Sequence, residues 1–334
     1  MFIGELTCLF VFFLKLAIWG SPQKKVDDGT PLSPGGEAAQ ASKLKTKINP
    51  VLLAIPACCD ICGSTLMFVA LTQCAASVYQ MMRGIIVVIT AGMSILFLGA
   101  KQYVHHWISL MMIVSGVAIV GIVSVAMGKK DDSEDGQPAT SFLGVMLLLV
   151  AQCFTGCQFI AEEKLLGGYY LDPFLVVGLE GFWGSCIYAV LLPIFQHVRC
   201  DGALCHNGYL EDSKSAFYQM GENHILILQS VFIIISIASF NATGVAITKF
   251  ATAAQRSTVD TSRTLIIWCV SLALKWEEFL WPELVGFILL VMGTLIYNEI
   301  YVVPIDFMSN NTREAIKARE AKEGRLGAGI VDDD

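Results

Sequence analysis

Apolar runs of about twenty residues recur nine times along this chain, and they leave little room for any fold outside a lipid bilayer. They lie at Met1–Trp19, Pro50–Leu71, Ser77–Leu98, Trp107–Met127, Phe142–Ile160, Pro173–Phe195, Ile225–Thr248, Ala253–Leu274 and Pro282–Val302. At about 1.5 Å per helical residue, each is long enough to cross a hydrocarbon core of roughly 30 Å. Lipid offers no partner for backbone N–H and C=O groups, so each run must satisfy its own, and a helix does that. Only 15% of residues are charged, against roughly 25% in an ordinary soluble domain, and 55% are hydrophobic. The prediction is an all-α polytopic membrane protein with nine transmembrane helices in this sequence.

The polar segments between the runs set orientation. One side collects Lys24, Lys25, Lys43, Lys45, Lys47, Lys101, Lys164, Lys249, Arg256 and the basic residues of the tail. The other collects Lys129, Lys130, Arg199, Lys214 and Lys275. The positive-inside rule puts the first set, and with it the C-terminus, in the cytosol. The Pro/Gly/Lys-rich stretch 20–48 is expected to be a disordered cytosolic linker, and the tail 304–334 a charged cytosolic segment. Cys200 and Cys205 lie in the long loop on the opposite, oxidising side and are candidates for a local disulfide. A net charge of -7, with no basic stretch interleaved with aromatics, gives no footprint for nucleic acid.

A weak repeat runs through the sequence. Ser77-Val-Tyr-Gln-Met-Met-Arg83 parallels Ser257-Thr-Val-Asp-Thr-Ser-Arg263, each opening an apolar run. Gly116-Val-Ala-Ile-Val-Gly121 parallels Gly293-Thr-Leu-Ile-Tyr-Asn298, and Gly4-Glu5 parallels Leu179-Glu180. The parallel runs are an odd number of spans apart, so the two copies face opposite ways across the bilayer. That arrangement is the mark of alternating-access transporters. The halves are 1–127 and 141–303, joined by a charged linker at 128–140. The repeat also leaves the first half one helix short at its start, so the complete fold is expected to have ten helices.

The motifs Pro56-Ala-Cys-Cys-Asp60, Ala76-Ser-Val-Tyr-Gln-Met-Met-Arg-Gly84, Gln158-Phe-Ile-Ala-Glu-Glu-Lys164, Gly178-Leu-Glu-Gly181 and Asp260-Thr-Ser-Arg-Thr-Leu-Ile-Ile-Trp268 stand in a consistent order. Together they resemble the F-type branch of solute carrier family 35, within the drug/metabolite transporter superfamily, whose relatives include nucleotide-sugar transporters. The resemblance implies an EmrE-like fold of two inverted five-helix halves, a small-molecule substrate, an endomembrane location in Golgi or lysosome, and no cofactor.

An ionisable group within a span costs about 2.5–3.5 kcal/mol on insertion scales, so each one present needs a reason. Asp60, Arg83, Glu180, Asp260 and Arg263 are such groups, and Gln80, Gln152, Gln158 and Asn241 add uncharged hydrogen-bonding groups. All nine are candidates for a substrate cavity. Arginine suits an anionic substrate because its planar fork donates two parallel bonds to phosphate or carboxylate. The bland alternative is that Asp60, Arg83, Asp260 and Arg263 only pair with one another and hold helices together. Asp260 lies three residues before Arg263 and four after Arg256, which places all three on one helix face. Glu162, Glu163 and Lys164 are read as a solvated cap at a cytosolic helix end, with a gate as the alternative. Cys58, Cys59 and Cys62 are read as small contact residues, and no metal site is expected. The five histidines all sit at run edges or in loops, so the sequence offers no intramembrane catalytic cluster. The function expected is therefore transport, with a non-transporting partner that keeps the fold as the alternative.

Overall fold

The computed structural model describes residues 1–19, 48–74, 79–80, 82–127, 141–169, 171–199, 209, 211–274, 281–305 and a few positions between 309 and 319. The described residues are almost entirely helical: α1 (Phe2–Trp19), α2 (Ala54–Leu71), α3 (Ile86–Leu98), α4 (Val104–Met127), α5 (Phe142–Gly168), α6 (Pro173–Phe195), α7 (Ser213–Glu222), α8 (His224–Phe250), α9 (Ala253–Ala273) and α10 (Trp281–Tyr297). Short 3-10 turns at Pro50–Leu53 and Arg83–Ile85 lead into α2 and α3. Five segments are long and apolar enough to cross a membrane, and Arg83–Leu98 and Leu284–Tyr297 are shorter apolar helices. No strand occurs among the described residues. The linker 20–48 lies outside the described residues except for Ile48, and Cys200 and Cys205 lie outside them altogether.

Helix starts follow from their capping residues. Asp172 accepts from the Phe174 N–H at 3.0 Å, and Pro173 occupies the first turn, where its missing donor costs nothing. Asn223 caps α8 by accepting from Ile225 N–H at 3.0 Å, and Asp212 caps α7 through Ser215 N–H at 3.1 Å. Helix bounds depart from the expected ones at several ends: α3 starts at Ile86 and α10 stops at Tyr297. α5 continues eight residues past Ile160 to Gly168, and the loop before α8 contains α7.

The described chain divides into two compact units, each assembled from an early and a late segment. The first comprises Met1–Val69 and Cys153–Arg256, and the second Ala70–Gln152 and Ser257–Asp334. In the first, α1 lies directly on α6 and α8. A side chain at Gly178 would put its Cβ 2.6 Å from the Leu9 nitrogen, and one at Gly181 would strike the backbone of Glu5 and Leu6. In a membrane such small-residue faces let helices gain dispersion contact where no hydrophobic force drives them together. Cys8, Leu53, Leu166, Val176, Val177 and Val245 pack beside this seam. At one end Lys15 donates to Asp172 at 2.6 Å and Lys249 donates to the Leu171 carbonyl at 2.7 Å, which ties α1, α6 and α8 together.

The second unit repeats the device. α4 and α10 meet at Gly116 and Gly286, where a Cβ on Gly286 would lie 2.7 Å from the Gly116 carbonyl oxygen. Val120 and Phe287 continue that contact, with Leu284 and Val291 alongside.

Candidate functional site

Each unit holds a buried constellation of acidic and basic side chains, and the two differ in composition. In the second unit Asp260 stands between two guanidinium groups. Arg83 donates from Nη2 to Asp260 Oδ2 at 3.2 Å, and Arg263 Nη2 lies 2.8 Å from Oδ1. The Arg263 pair follows from the i,i+3 spacing on α9. The Arg83 pair is tertiary. Asp260 is 6% exposed, so the carboxylate is fully inside the protein. The guanidinium of Arg83 lies over the Tyr79 ring, 5.9 Å from its centroid, and its Nε–H is buried without a hydrogen-bond partner among the described residues. Gln80, one turn before Arg83, has a buried Oε1 in the same condition. Next to them Thr90 donates to Ser257 Oγ at 3.2 Å and fixes α3 against α9. Two guanidinium groups thus share this one carboxylate. Gln152, 1% exposed on α5, also belongs to this unit.

In the first unit Arg256, at the start of α9, pairs with Glu162 of α5 and lies 4.1 Å over the Phe159 ring centroid. Gly244 on α8 makes room for it, since a Cβ there would sit 2.9 Å from Arg256 Nε. Glu162 is 0% exposed. The expectation of a solvated helix end is therefore corrected for Glu162: the longer α5 carries it into the interior, where Gln158 interacts with it from one turn earlier. Glu163 does cap, accepting from the Ala253 N–H at the start of α9 at 3.1 Å. Along α9, Arg256 pairs with Glu162 while Asp260 and Arg263 pair with each other.

Around Arg256 gather three further acids. Glu180 of α6 interacts electrostatically with Glu162, Glu5, Arg256 and Asp60. Glu5 accepts from Asn241 Nδ2 at 2.5 Å and keeps its Oε2 without a partner among the described residues. Glu180 is buried with an unpartnered Oε1, and Asp60 is half-buried. Four carboxylates thus face one arginine, from four helices. Of the candidates read from the sequence, Asp60, Gln158, Glu180 and Asn241 fall in this unit. Gln80, Arg83, Gln152, Asp260 and Arg263 fall in the other.

Comparison with known proteins agrees with this architecture. A family model described as nucleotide-sugar transporter matches residues 36–183. Solute carrier family 35 member F6 of mouse is 32% identical over 327 residues, covering 98% of this chain and 82% of that protein. The human protein of the same name is 32% identical over 332 residues, covering 98% and 83%. The chain belongs to solute carrier family 35. A more distant relative of this family 35 carrier is the rat UDP-N-acetylglucosamine transporter, 28% identical over 192 residues, 56% of this chain and 54% of that one. The relatives are carriers rather than enzymes, and the chain is a multi-pass membrane protein of the solute-transporter class.

Proposed function

We infer that the protein moves an anionic, nucleotide-sugar-like metabolite across an endomembrane by alternating access, with its C-terminus in the cytosol. The observation that carries this reading is Asp260 clasped by Arg83 and Arg263, with the Arg83 Nε–H left without a partner among the described residues. A phosphate or carboxylate arriving there would supply the acceptor that the buried Arg83 Nε–H lacks. Asp260 keeps the arginines apart and oriented between turnovers, so the carrier need not desolvate two bare cations.

The distribution of the sequence echoes supports two inverted repeats, one in each of 1–127 and 141–303. Ser77–Arg83 and Ser257–Arg263 both contribute to the second unit, and their arginines meet on one aspartate. Gly116 and Gly293 also both lie there, on two helices in contact. Glu5 and Glu180 both lie in the first unit and interact. Two copies of one motif meeting inside one unit is the behaviour of intertwined repeats related by a pseudo-twofold axis. The acids around Arg256 complete the picture as groups that take up and release protons during the cycle.

The experiment is uptake by purified full-length protein in proteoliposomes, against a panel of nucleotide sugars, nucleotides and neutral sugars. Saturable uptake of an anionic member, competed by other anions and not by neutral sugars, is expected. Saturable uptake confined to neutral or cationic compounds would overturn the substrate class.

A further inference from the structure

At the end of the second unit where Lys101 lies, two histidines and a glutamate converge. We propose that His105, His106 and Glu299 form a binding site for one borderline divalent transition-metal ion, with Zn²⁺ as the best-matched occupant. One ligand atom from each residue lies within 4.8 Å of the other two. His105 and His106 occupy the first turn of α4 and are 3% and 7% exposed, and their rings lie 4.0 Å apart between centroids at an interplanar angle of 37°. Glu299 comes from the turn that follows α10.

The donor set and the spacing both suit such an ion. Two imidazoles and one carboxylate are ligands that zinc accepts, with a fourth position left for water. His105 Nε2 lies 3.2 Å from Glu299 Oε1. Ligands held about 2.0–2.1 Å from a tetrahedral ion stand about 3.3 Å apart, so this pair is already at the required separation. His106 has to close the remaining gap and leave the Tyr103 N–H, which donates to its Nδ1 at 3.3 Å, a long hydrogen bond.

Two further features point to a ligand. Glu299 is the one described non-glycine residue with a left-handed backbone, at φ 58°, a conformation tolerated only where surroundings enforce it. That turn is what brings its carboxylate back to the histidines. Metal on Nε2 of His105 replaces the proton there, and a neutral His105 then carries its proton on Nδ1. The balance closes without another reagent. A small cavity bordered by His105, Glu299, Tyr301 and Thr312 has space for about one water-sized body.

The test uses the full chain purified in detergent without a histidine tag, titrated with Co²⁺ as a spectroscopic stand-in for zinc. The expected result is one Co²⁺ per chain, with visible bands of a four-coordinate N/O site, displaced by Zn²⁺. Glu299→Gln and His105→Gln should each weaken binding by at least about tenfold. His197→Gln, which alters an exposed histidine elsewhere, should not. A wild-type protein that takes up no Co²⁺, or a spectrum unchanged by Glu299→Gln and His105→Gln, would overturn the site. Should the variants fail to fold, the wild-type stoichiometry and its competition by Zn²⁺ decide alone.

Discussion

The two buried constellations differ in how many arginines each acid can reach and in what they can tolerate. In the second unit one aspartate has two arginines, so either arginine can be lost and the carboxylate still keeps a counter-charge. In the first unit Arg256 is the only guanidinium among the described residues that acts on Glu162 and Glu180, beside Glu5 and Asp60. Redundancy on one side and dependence on the other separate a site that can afford to engage a ligand from one whose fold hangs on a single pair.

The largest expected effect tests that dependence. Arg256→Ala strands Glu162 in the interior, and breaking a buried pair from one side costs about 3–5 kcal/mol. The yield of monodisperse protein on size exclusion should collapse, and the double change Arg256→Met with Glu162→Gln should restore much of it. Arg83→Ala, by contrast, should leave the yield near that of the wild type, because Arg263 remains on Asp260. Equal losses in both single variants would erase the distinction between the units.

Helix seams come next. Gly286→Leu drives a side chain into the Gly116 carbonyl and Val120, and overpacking of this kind costs about 1–3 kcal/mol. Gly181→Leu should do the same to α1 and α6. Both should lower the temperature at which the detergent-solubilised protein loses its monodisperse peak, whereas Gly92→Leu, with open space around it, should not. The smallest effect concerns a cap: Glu163→Ala removes the acceptor of the Ala253 N–H and should cost about 1 kcal/mol by the same assay.

The membrane class and nearly every helix were legible in the sequence because burial in lipid imposes long apolar runs, and Asp172-Pro173 and Asn223 mark starts by simple capping chemistry. The Asp260–Arg263 pair was legible for the same reason, as an i,i+3 contact on one helix. What was hidden were tertiary partners and charged residues within apolar helices. Glu162 was missed because the apolar run stops at Ile160. The signal was nonetheless present in the spacing of Leu148, Gln152, Thr155, Phe159, Glu162 and Leu166, a stripe at alternating four and three residues that is buried throughout. The choice of Arg256 for Glu162, and of Arg83 for Asp260, depends on which segments pair in space, and a single sequence does not encode that locally.

The central claim is that the Arg83–Asp260–Arg263 constellation takes an anionic substrate. Arg83→Lys and Arg263→Lys each keep the charge and remove the planar fork, so they separate recognition from folding. The decisive measurement is saturable anion uptake in proteoliposomes, normalised to the amount of folded protein, for the wild type and both variants. Uptake reduced at least about tenfold in one or both, at near-normal folded yield, is the predicted result, equivalent to roughly 1.4 kcal/mol or more of lost binding. Normal uptake in both variants would contradict it and leave the constellation as a helix clamp.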